Sequence, residues 1–276
     1  MSAFLEEMAA GSAARVRSAR ARLPEAALAN LARHAPVPAP LRLSAERFDL
    51  IAELKLRSPA AGQLAPAASA IAARVAAYAR AGAAAVSVLT EPSRFDGSLD
   101  HLSEAARALA PLGVPAMRKD FLLDPYQVLE ARAAGAGGVL LILRMLSRES
   151  LSALIDCART HGLFVLLEVF DAHDLERLGE LLATDGGGSP LLAGVNCRDL
   201  STLEVRPARL LELAAHLPRG VPRVAESGVE SPEAAARLAA AGYDLILVGS
   251  ALMRGEEPAE LAQALLQAGR AARRAV

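Results

Sequence analysis

The sequence contains few aromatic residues and few cysteines. Phe, Trp and Tyr make up 3% of its 276 residues, Trp is absent, and Cys157 and Cys197 are its only thiols. Two cysteines in a chain of this length exclude a disulfide framework and favour a reducing compartment, and neither has the spacing of a metal ligand. Because 53% of the residues are hydrophobic and so few of these are aromatic, the core must consist mainly of Ala, Leu and Val.

The sequence also lacks an excess of one charge and any long apolar run. Its formal net charge of −1 argues against a general nucleic-acid-binding protein. No apolar stretch approaches the roughly 20 residues that span a bilayer. Acidic residues near the N-terminus, Glu6 and Glu7, are untypical of a secretory signal. We therefore expect a cytoplasmic protein that binds neither nucleic acid nor membrane.

The chain does contain a regular alternation of short apolar runs with helical stretches. The runs are rich in Val, Leu and Ile, as strands covered on both faces are. They lie near residues 49–55, 84–89, 114–119, 138–143, 163–168, 191–196, 221–226 and 244–249. Helix signals stand between them, for example Asp124-Pro125 at one start and Gly135 at the end that follows. This alternation predicts a parallel sheet, and eight strands match a (β/α)₈ TIM barrel.

The barrel prediction also divides the chain. We assign residues 49–276 to the catalytic barrel and residues 1–48 to an N-terminal helical extension packed on it. A doubly wound open sheet is the structural alternative. It would need a Gly-rich fingerprint after the first strand, and the residues there are Ser58-Pro59.

Charged and amide side chains stand at or near the carboxyl ends of several runs. They are Glu53, Lys55, Lys119, Glu168, Asn196 and Glu226. Side chains in a strand alternate with a period of two, so Glu53 and Lys55 point to the same face. A single such residue is more simply explained as a strand end that emerges into solvent. Several strands together would crowd one mouth of the barrel, which predicts an active site for acid–base chemistry there.

Glycine and serine follow the last two runs. Ser227-Gly228 comes after the seventh run, and Gly249-Ser250 comes after the eighth and before a helical stretch. Each glycine alone is more simply a turn residue. Together they lie in the two loops that commonly bind phosphate in this fold, where backbone N–H groups can approach an anion. We therefore predict a phosphorylated substrate.

Blocks of sequence at these positions resemble the indole-3-glycerol phosphate synthase family. They occur in the family's order and cover the chain from about residue 49 to its end. The blocks are Ile51 to Pro59, Ser87 to Ser98, Met117 to Phe121, Leu167 to Asp171, Gly194 to Leu200, Ala225 to Gly228 and Val248 to Arg254. The resemblance implies a carboxy-lyase of tryptophan biosynthesis, which closes the ring of 1-(2-carboxyphenylamino)-1-deoxyribulose 5-phosphate with loss of carbon dioxide and water. It implies neither a metal nor an organic cofactor.

The resemblance also implies roles for individual residues. Lys119 matches the acid that polarises the ketone during ring closure. Glu168 and Lys55, with Glu53 nearby, suit the later dehydration, and which lysine serves which step stays open. The implied substrate contacts are Asn196 and Ser58 at the anthranilate portion, Arg198, Glu226 and Ser227 in the polar network, Phe95, Phe121, Leu140 and Leu200 around the ring, and Gly228, Gly249 and Ser250 at the phosphate.

One loop departs from the family pattern, and some alternatives stay open. After Ser58-Pro59 the family usually continues with Ser-Lys-Gly, whereas this chain has Ala60-Ala61-Gly62 within the segment 60–65. Loop closure over the substrate and the turnover rate are therefore open. A phosphoribosylanthranilate isomerase would be expected to use a Cys/Asp pair, and a barrel that only binds sugar phosphates would not need this set of lysines and glutamates. The oligomeric state is open between a monomer and a weak homodimer.

Overall fold

The chain forms a closed barrel of eight parallel strands. The computed structural model describes residues 2–59, 62–64, 71–184, 190–255 and 257–275. Each strand pairs with its neighbours in the sequence, and the first pairs with the last. The strands are β1 (Asp49–Leu54), β2 (Ala85–Leu89), β3 (Ala116–Lys119), β4 (Gly138–Ile142), β5 (Phe164–Val169), β6 (Leu191–Asn196), β7 (Arg223–Glu226) and β8 (Leu245–Val248). The predicted TIM barrel is confirmed, and every strand overlaps the run predicted for it.

Helices surround the barrel and precede it. They are α1 (Ala3–Arg22), α2 (Glu25–His34), α3 (Ile71–Arg80), α4 (Pro92–Phe95), α5 (Leu99–Leu109), α6 (Pro125–Ala133), α7 (Arg148–Thr160), α8 (Ala172–Thr184), α9 (Ala208–Ala214), α10 (Pro232–Ala240), α11 (Ser250–Arg254) and α12 (Pro258–Arg274). Asp124 begins α6 with a capping box, and Gly135 follows that helix with φ +89°. Among the described residues, no helix is long and apolar enough to cross a membrane.

Two apolar clusters fill the barrel and the layer around it. The layer between strands and helices contains residues such as Leu50. The interior is filled by side chains that include Ile51, Met117, Leu166 and Val224. Two positions after each of these residues, at or near the end of the same strand, the chain has a charged residue. These charged residues are Glu53, Lys119, Glu168 and Glu226. The period of two therefore carries the charged groups of four strands onto the interior face, at the carboxyl mouth of the barrel.

The helices α1 and α2 pack against the mouth and the side of the barrel. The Ser12 hydroxyl donates a hydrogen bond to the carbonyl oxygen of Phe121 (2.5 Å), and the Ser2 hydroxyl donates to that of Leu200 (3.0 Å). These bonds join α1 to the loops after β3 and β6. Apolar side chains of α2 meet those of α6. The division into an extension of residues 1–48 and a barrel of residues 49–276 stays a prediction.

Candidate active site

One pocket at the carboxyl ends of the strands includes every residue that the sequence predicts for the site. Its volume is about 330 Å³. The predicted acid–base residues in its walls are Glu53, Lys55, Lys119, Glu168 and Asn196. The predicted substrate contacts in its walls are Ser58, Phe95, Phe121, Leu140, Arg198, Leu200, Glu226, Ser227, Gly228, Gly249 and Ser250. These residues meet because the carboxyl ends of all strands in a parallel barrel lie on one face.

Lys119 lies at the end of β3 among three carboxyl groups. Its Nζ is 3.2 Å from Glu226 Oε2 and 3.6 Å from Glu168 Oε1. Burial alone would lower the pKa of this amine, but its interactions with the carboxyl groups of Glu168, Glu226 and Glu53 together raise it above its ordinary value. Lys119 is therefore an ammonium group at neutral pH, held where it can donate a proton or a hydrogen bond into the pocket.

Glu53 and Lys55 form a second buried ion pair, at the end of β1. Lys55 Nζ is 2.7 Å from Glu53 Oε1. Burial alone would raise the pKa of Glu53, but the charges of Lys55 and Lys119 lower it below its ordinary value. Glu53 is therefore ionised at neutral pH, so that β1 presents a carboxylate beside an ammonium donor.

Glu226, at the end of β7, has the opposite electrostatic balance. Burial raises the pKa of its carboxyl group to about 8, because the charge of Glu168 adds to the effect and Lys119 only partly offsets it. Its Oε1 is buried and has no hydrogen-bond partner among the described residues. A Cβ on Gly194 in β6 would overlap this same oxygen. Glycine at position 194 therefore leaves the room that the Glu226 carboxyl group occupies.

This raised pKa predicts a pH-dependent contribution of Glu226 to stability. Between about pH 4.5 and 8 the folded protein holds a proton that the unfolded chain releases, so the free energy of unfolding falls as the pH rises, by at most about 1.4 kcal/mol per pH unit. Glu226→Gln removes this ionisation. In denaturant unfolding we therefore expect the variant to gain stability relative to wild type as the pH rises through that range. Parallel pH profiles for the two proteins would contradict the raised pKa.

Asn196 holds Glu168 and the loop after β6 in one hydrogen-bonded arrangement. Its Nδ2 donates to Glu168 Oε1 (2.5 Å), and its Oδ1 accepts from the backbone N–H of Arg198 (2.9 Å). The Arg198 guanidinium in turn donates to the carbonyl oxygen of Leu203 (2.7 Å). Glu168 is thus oriented by an amide that the loop backbone itself holds in place.

The sequence analysis missed part of the apolar end of the pocket. Phe4 of α1 packs edge-on against Phe121, with ring centroids 5.9 Å apart, and Phe95 lies 6.3 Å from the same ring. Phe170, two residues beyond Glu168, also lines the pocket. The period of two is a signal that could have found Phe170. Phe4 could not be found in this way, because nothing in the local sequence places α1 over the barrel mouth.

The two glycines of the predicted phosphate end are required for different steric reasons. Gly228 has φ +69°, which residues with a side chain rarely adopt, and a Cβ there would lie 3.0 Å from Val205 Cγ1. A Cβ on Gly249 would overlap the carboxyl group of Glu53. A substitution of Gly249 would therefore disturb the acid–base end of β1, so it does not isolate an effect on phosphate binding.

The loop that follows β1 is described only in part. Arg57–Ser58 pairs in antiparallel fashion with Gly62–Gln63, and Arg57 Nη1 lies 3.6 Å from Asp96 Oδ1 just after α4. Within the segment 60–65, which departs from the family pattern, residues 60, 61 and 65 lie outside the described residues. The predicted effect of this departure on loop closure stays a prediction.

One of the chain's two thiols lies close to the pocket. Cys197 is buried next to it, with Sγ 3.5 Å from the carbonyl oxygen of Ser227. Burial raises the pKa of this thiol to about 11, so it is protonated at neutral pH and is a poor nucleophile. Within the described ranges, no group of three or more His, Cys, Asp or Glu side chains could hold a metal ion.

Several solved structures share the fold. Thiamine phosphate pyrophosphorylase from Pyrococcus furiosus aligns with a TM-score of 0.58 at 16% identity, covering 82% of this chain and 98% of its own. The 3-hexulose-6-phosphate synthase of Salmonella typhimurium aligns with a TM-score of 0.58 at 17% identity, covering 80% and 97%. At these identities the likeness concerns the fold alone.

Sequence comparison identifies the family. A family model described as indole-3-glycerol phosphate synthase matches residues 5–265. The indole-3-glycerol phosphate synthase of Micrococcus luteus is 43% identical over 269 residues, which is 94% of this chain and 96% of that protein. The protein of the same name from Parafrankia sp. is 45% identical over 227 residues, or 82% and 81% of the two chains. The chain therefore belongs to the indole-3-glycerol phosphate synthase family.

Proposed function

We propose that this protein converts 1-(2-carboxyphenylamino)-1-deoxyribulose 5-phosphate into indole-3-glycerol phosphate, with loss of carbon dioxide and water. The observation that carries the proposal is the position of Lys119 Nζ, 3.6 Å from Glu168 and 3.2 Å from Glu226, in a pocket with an aromatic end and a glycine-containing end. The substrate has a matching order of parts, with an aryl ring, a ketone and a phosphate. Membership in the family supports the same reaction.

In the ring closure, the aromatic carbon that bears the carboxylate attacks the ketone carbon. The electron pair of the carbonyl bond moves onto its oxygen, and Lys119 donates a proton there. The bond to the carboxylate then breaks, and its electron pair restores the aromatic ring as carbon dioxide leaves. The ammonium group of Lys119 is suited to this step because the surrounding carboxylates keep it charged until the ketone oxygen becomes basic.

Loss of water then forms the double bond of the indole. The new hydroxyl group leaves with a proton from an acid, while a base takes a proton from the neighbouring carbon. We assign the base to Glu168, which Asn196 orients, and the acid to Lys55, which is ion-paired with Glu53. Both side chains reach the pocket from strand ends that face the same interior.

The phosphate group of this substrate fits the end of the pocket where Gly228 and Ser250 lie. Ser250→Asp would place a negative charge against the phosphate dianion, so we expect KM to rise by at least about tenfold. A dephosphorylated substrate analogue should be affected much less. Ser250→Asn, which has the same size without the charge, is the matched control. If the ratio of kcat/KM for the two substrates is unchanged in folded Ser250→Asp, the phosphate lies elsewhere.

The deciding experiment mixes the purified protein with carboxyphenylamino-deoxyribulose phosphate and follows the absorbance of the indole. We expect indole-3-glycerol phosphate and carbon dioxide in equal amounts. Recovery of the substrate unchanged would refute the proposed function. Conversion to phosphoribosylanthranilate without release of carbon dioxide would indicate an isomerase instead.

A further inference from the structure

A charged cluster that the proposed mechanism does not use lies beside one wall of the pocket. It consists of Arg144, after β4, and Asp171 and Asp174, at the start of α8. The guanidinium carbon of Arg144 lies 4.6 Å from the ring centroid of Phe170, the buried residue that lines the pocket after β5. The cation is therefore stacked on an aromatic ring that belongs to the substrate pocket.

Asp174 connects the two partners of this contact. Its Oδ2 accepts hydrogen bonds from Arg144 Nε (2.8 Å), from Arg144 Nη2 (2.6 Å) and from the backbone N–H of Phe170 (3.0 Å). Arg144 Nη2 also lies 2.5 Å from Asp171 Oδ2. Asp174 is only 2% exposed, so its charge depends on these donors for compensation. One carboxylate thus holds both the backbone of Phe170 and the guanidinium over its ring.

The ring of Phe170 belongs to the apolar end of the pocket. It shares the interior cluster with Phe121, Leu140 and Ile142, which also line the pocket. Phe170 follows Glu168 by two residues on the same strand face, so its ring lies next to the assigned base. Loss of the contact between Arg144 and this ring should therefore disturb the apolar wall more than it disturbs the ion pairs around Lys119.

We propose that Arg144 is a positioning residue that holds Phe170 in the wall against the aryl ring of the substrate and so sets the affinity for that ring. The proposal rests on the proposed function. The aryl ring stays in contact with the wall while bonds change at the ketone, so the wall stabilises the bound substrate and the transition state alike. A loosened wall should then raise KM and leave kcat nearly unchanged.

The first set of variants tests whether Arg144 acts on KM. Arg144→Met keeps a long side chain without the charge, and we expect KM to rise roughly 3- to 30-fold, the range between an exposed and a desolvated cation–π contact, with kcat within about threefold. Arg144→Lys keeps the charge but not the planar two-point bond to Asp174, so its KM should be intermediate.

Arg177→Met is the matched control. Arg177 donates to the carbonyl oxygens of Leu143 (3.3 Å) and Leu146 (2.9 Å) around the same turn but does not stack on Phe170, so its KM should match wild type.

A second measurement follows binding without turnover. Anthranilate represents the aryl portion of the substrate, and its fluorescence can be read directly because the chain has no Trp. We expect Arg144→Met to raise the Kd for anthranilate by the same factor as KM. That factor should vanish in a Phe170→Leu background, because Arg144 acts through this ring.

Four outcomes separate this proposal from its alternatives and from the proposed function. An equal effect of Arg144→Met with and without Phe170 would overturn it, as would an unchanged Kd for anthranilate. The same rise of KM in Arg177→Met would also overturn it, because the turn alone would then explain the effect. If wild type binds anthranilate in an Arg144-dependent way but converts no substrate, the proposed function fails and the positioning role stands.

Discussion

Replacing Lys119 with Ala should lower kcat by about 10²–10⁴, the usual scale for the loss of a general acid. Lys119 is the ammonium group between Glu168 and Glu226, and the other lysine in the pocket, Lys55, is engaged 2.7 Å from Glu53. Among the described residues of the pocket, Lys119 is therefore the lysine that stands between the carboxyl groups of Glu168 and Glu226. KM should change less than kcat, because in the proposed binding mode the aryl ring and the phosphate are held at the two ends of the pocket. The measurement is the rate of indole formation at saturating substrate.

Glu168→Gln is the companion variant. It removes the assigned base, keeps the ammonium group of Lys119 and should lower kcat by a similar factor. Circular dichroism should show that both variants are folded, because residues at the barrel mouth serve the chemistry more than the core. If Lys119→Ala keeps kcat within threefold of wild type, the acid of the ring closure is another group, and Lys55 is the first to test.

Gly194→Ala should lower kcat/KM by about 10²-fold, although it adds one methyl group at a residue that has no chemical role. The new Cβ would overlap Glu226 Oε1 and lie 2.9 Å from Leu166 Cδ1. Glu226 must then move, and its Oε2 lies closer to Lys119 Nζ than Glu168 Oε1 does. A displacement of about 1 Å at a catalytic group costs on the order of 100-fold in rate.

The chain offers a matched control for this glycine. Apart from its chain neighbours and the backbone of its own helix, a Cβ on Gly179 in α8 would have no atom within 4 Å, so Gly179→Ala should leave kcat/KM unchanged and slightly favour the helix. Shortening the displaced side chain should relieve the overlap, so Gly194→Ala combined with Glu226→Asp should recover part of the lost activity. Wild-type kcat/KM in a folded Gly194→Ala protein would mean that the position of the Glu226 carboxyl group does not matter for catalysis.

Strand periodicity allowed the charged half of the pocket to be predicted from the sequence. Glu53 and Lys55 must share a face in any strand, and Lys119 occupies the corresponding place at the end of its own run. These side chains meet only because the barrel closes, and the number of apolar runs was the signal for closure. Local residue types and one topological rule were therefore sufficient for this part of the site.

Contacts between distant segments could not be predicted in the same way. The sequence around Gly249 indicates a turn or an anion-binding loop, and nothing in it shows that the carboxyl group of Glu53 arrives there from β1. Phe4 reaches the pocket only because α1 lies across the barrel mouth. The stacking of Arg144 on Phe170 likewise depends on how two successive loops meet. Such contacts are set by the packing of whole elements, which leaves no local pattern.

The closure of the barrel also has a consequence for synthesis on the ribosome. The strand β1 needs β8 as a neighbour, and Ser2 bonds to Leu200, which lies 198 positions later in the chain. At about 5–20 residues per second, roughly 10–40 s separate the synthesis of β1 from that of β8. During that interval one edge of β1, whose residues are all buried in the folded protein, is exposed without its partner strand, which is the situation that favours aggregation of nascent chains. A nascent chain therefore has no complete pocket until β8 has left the ribosome.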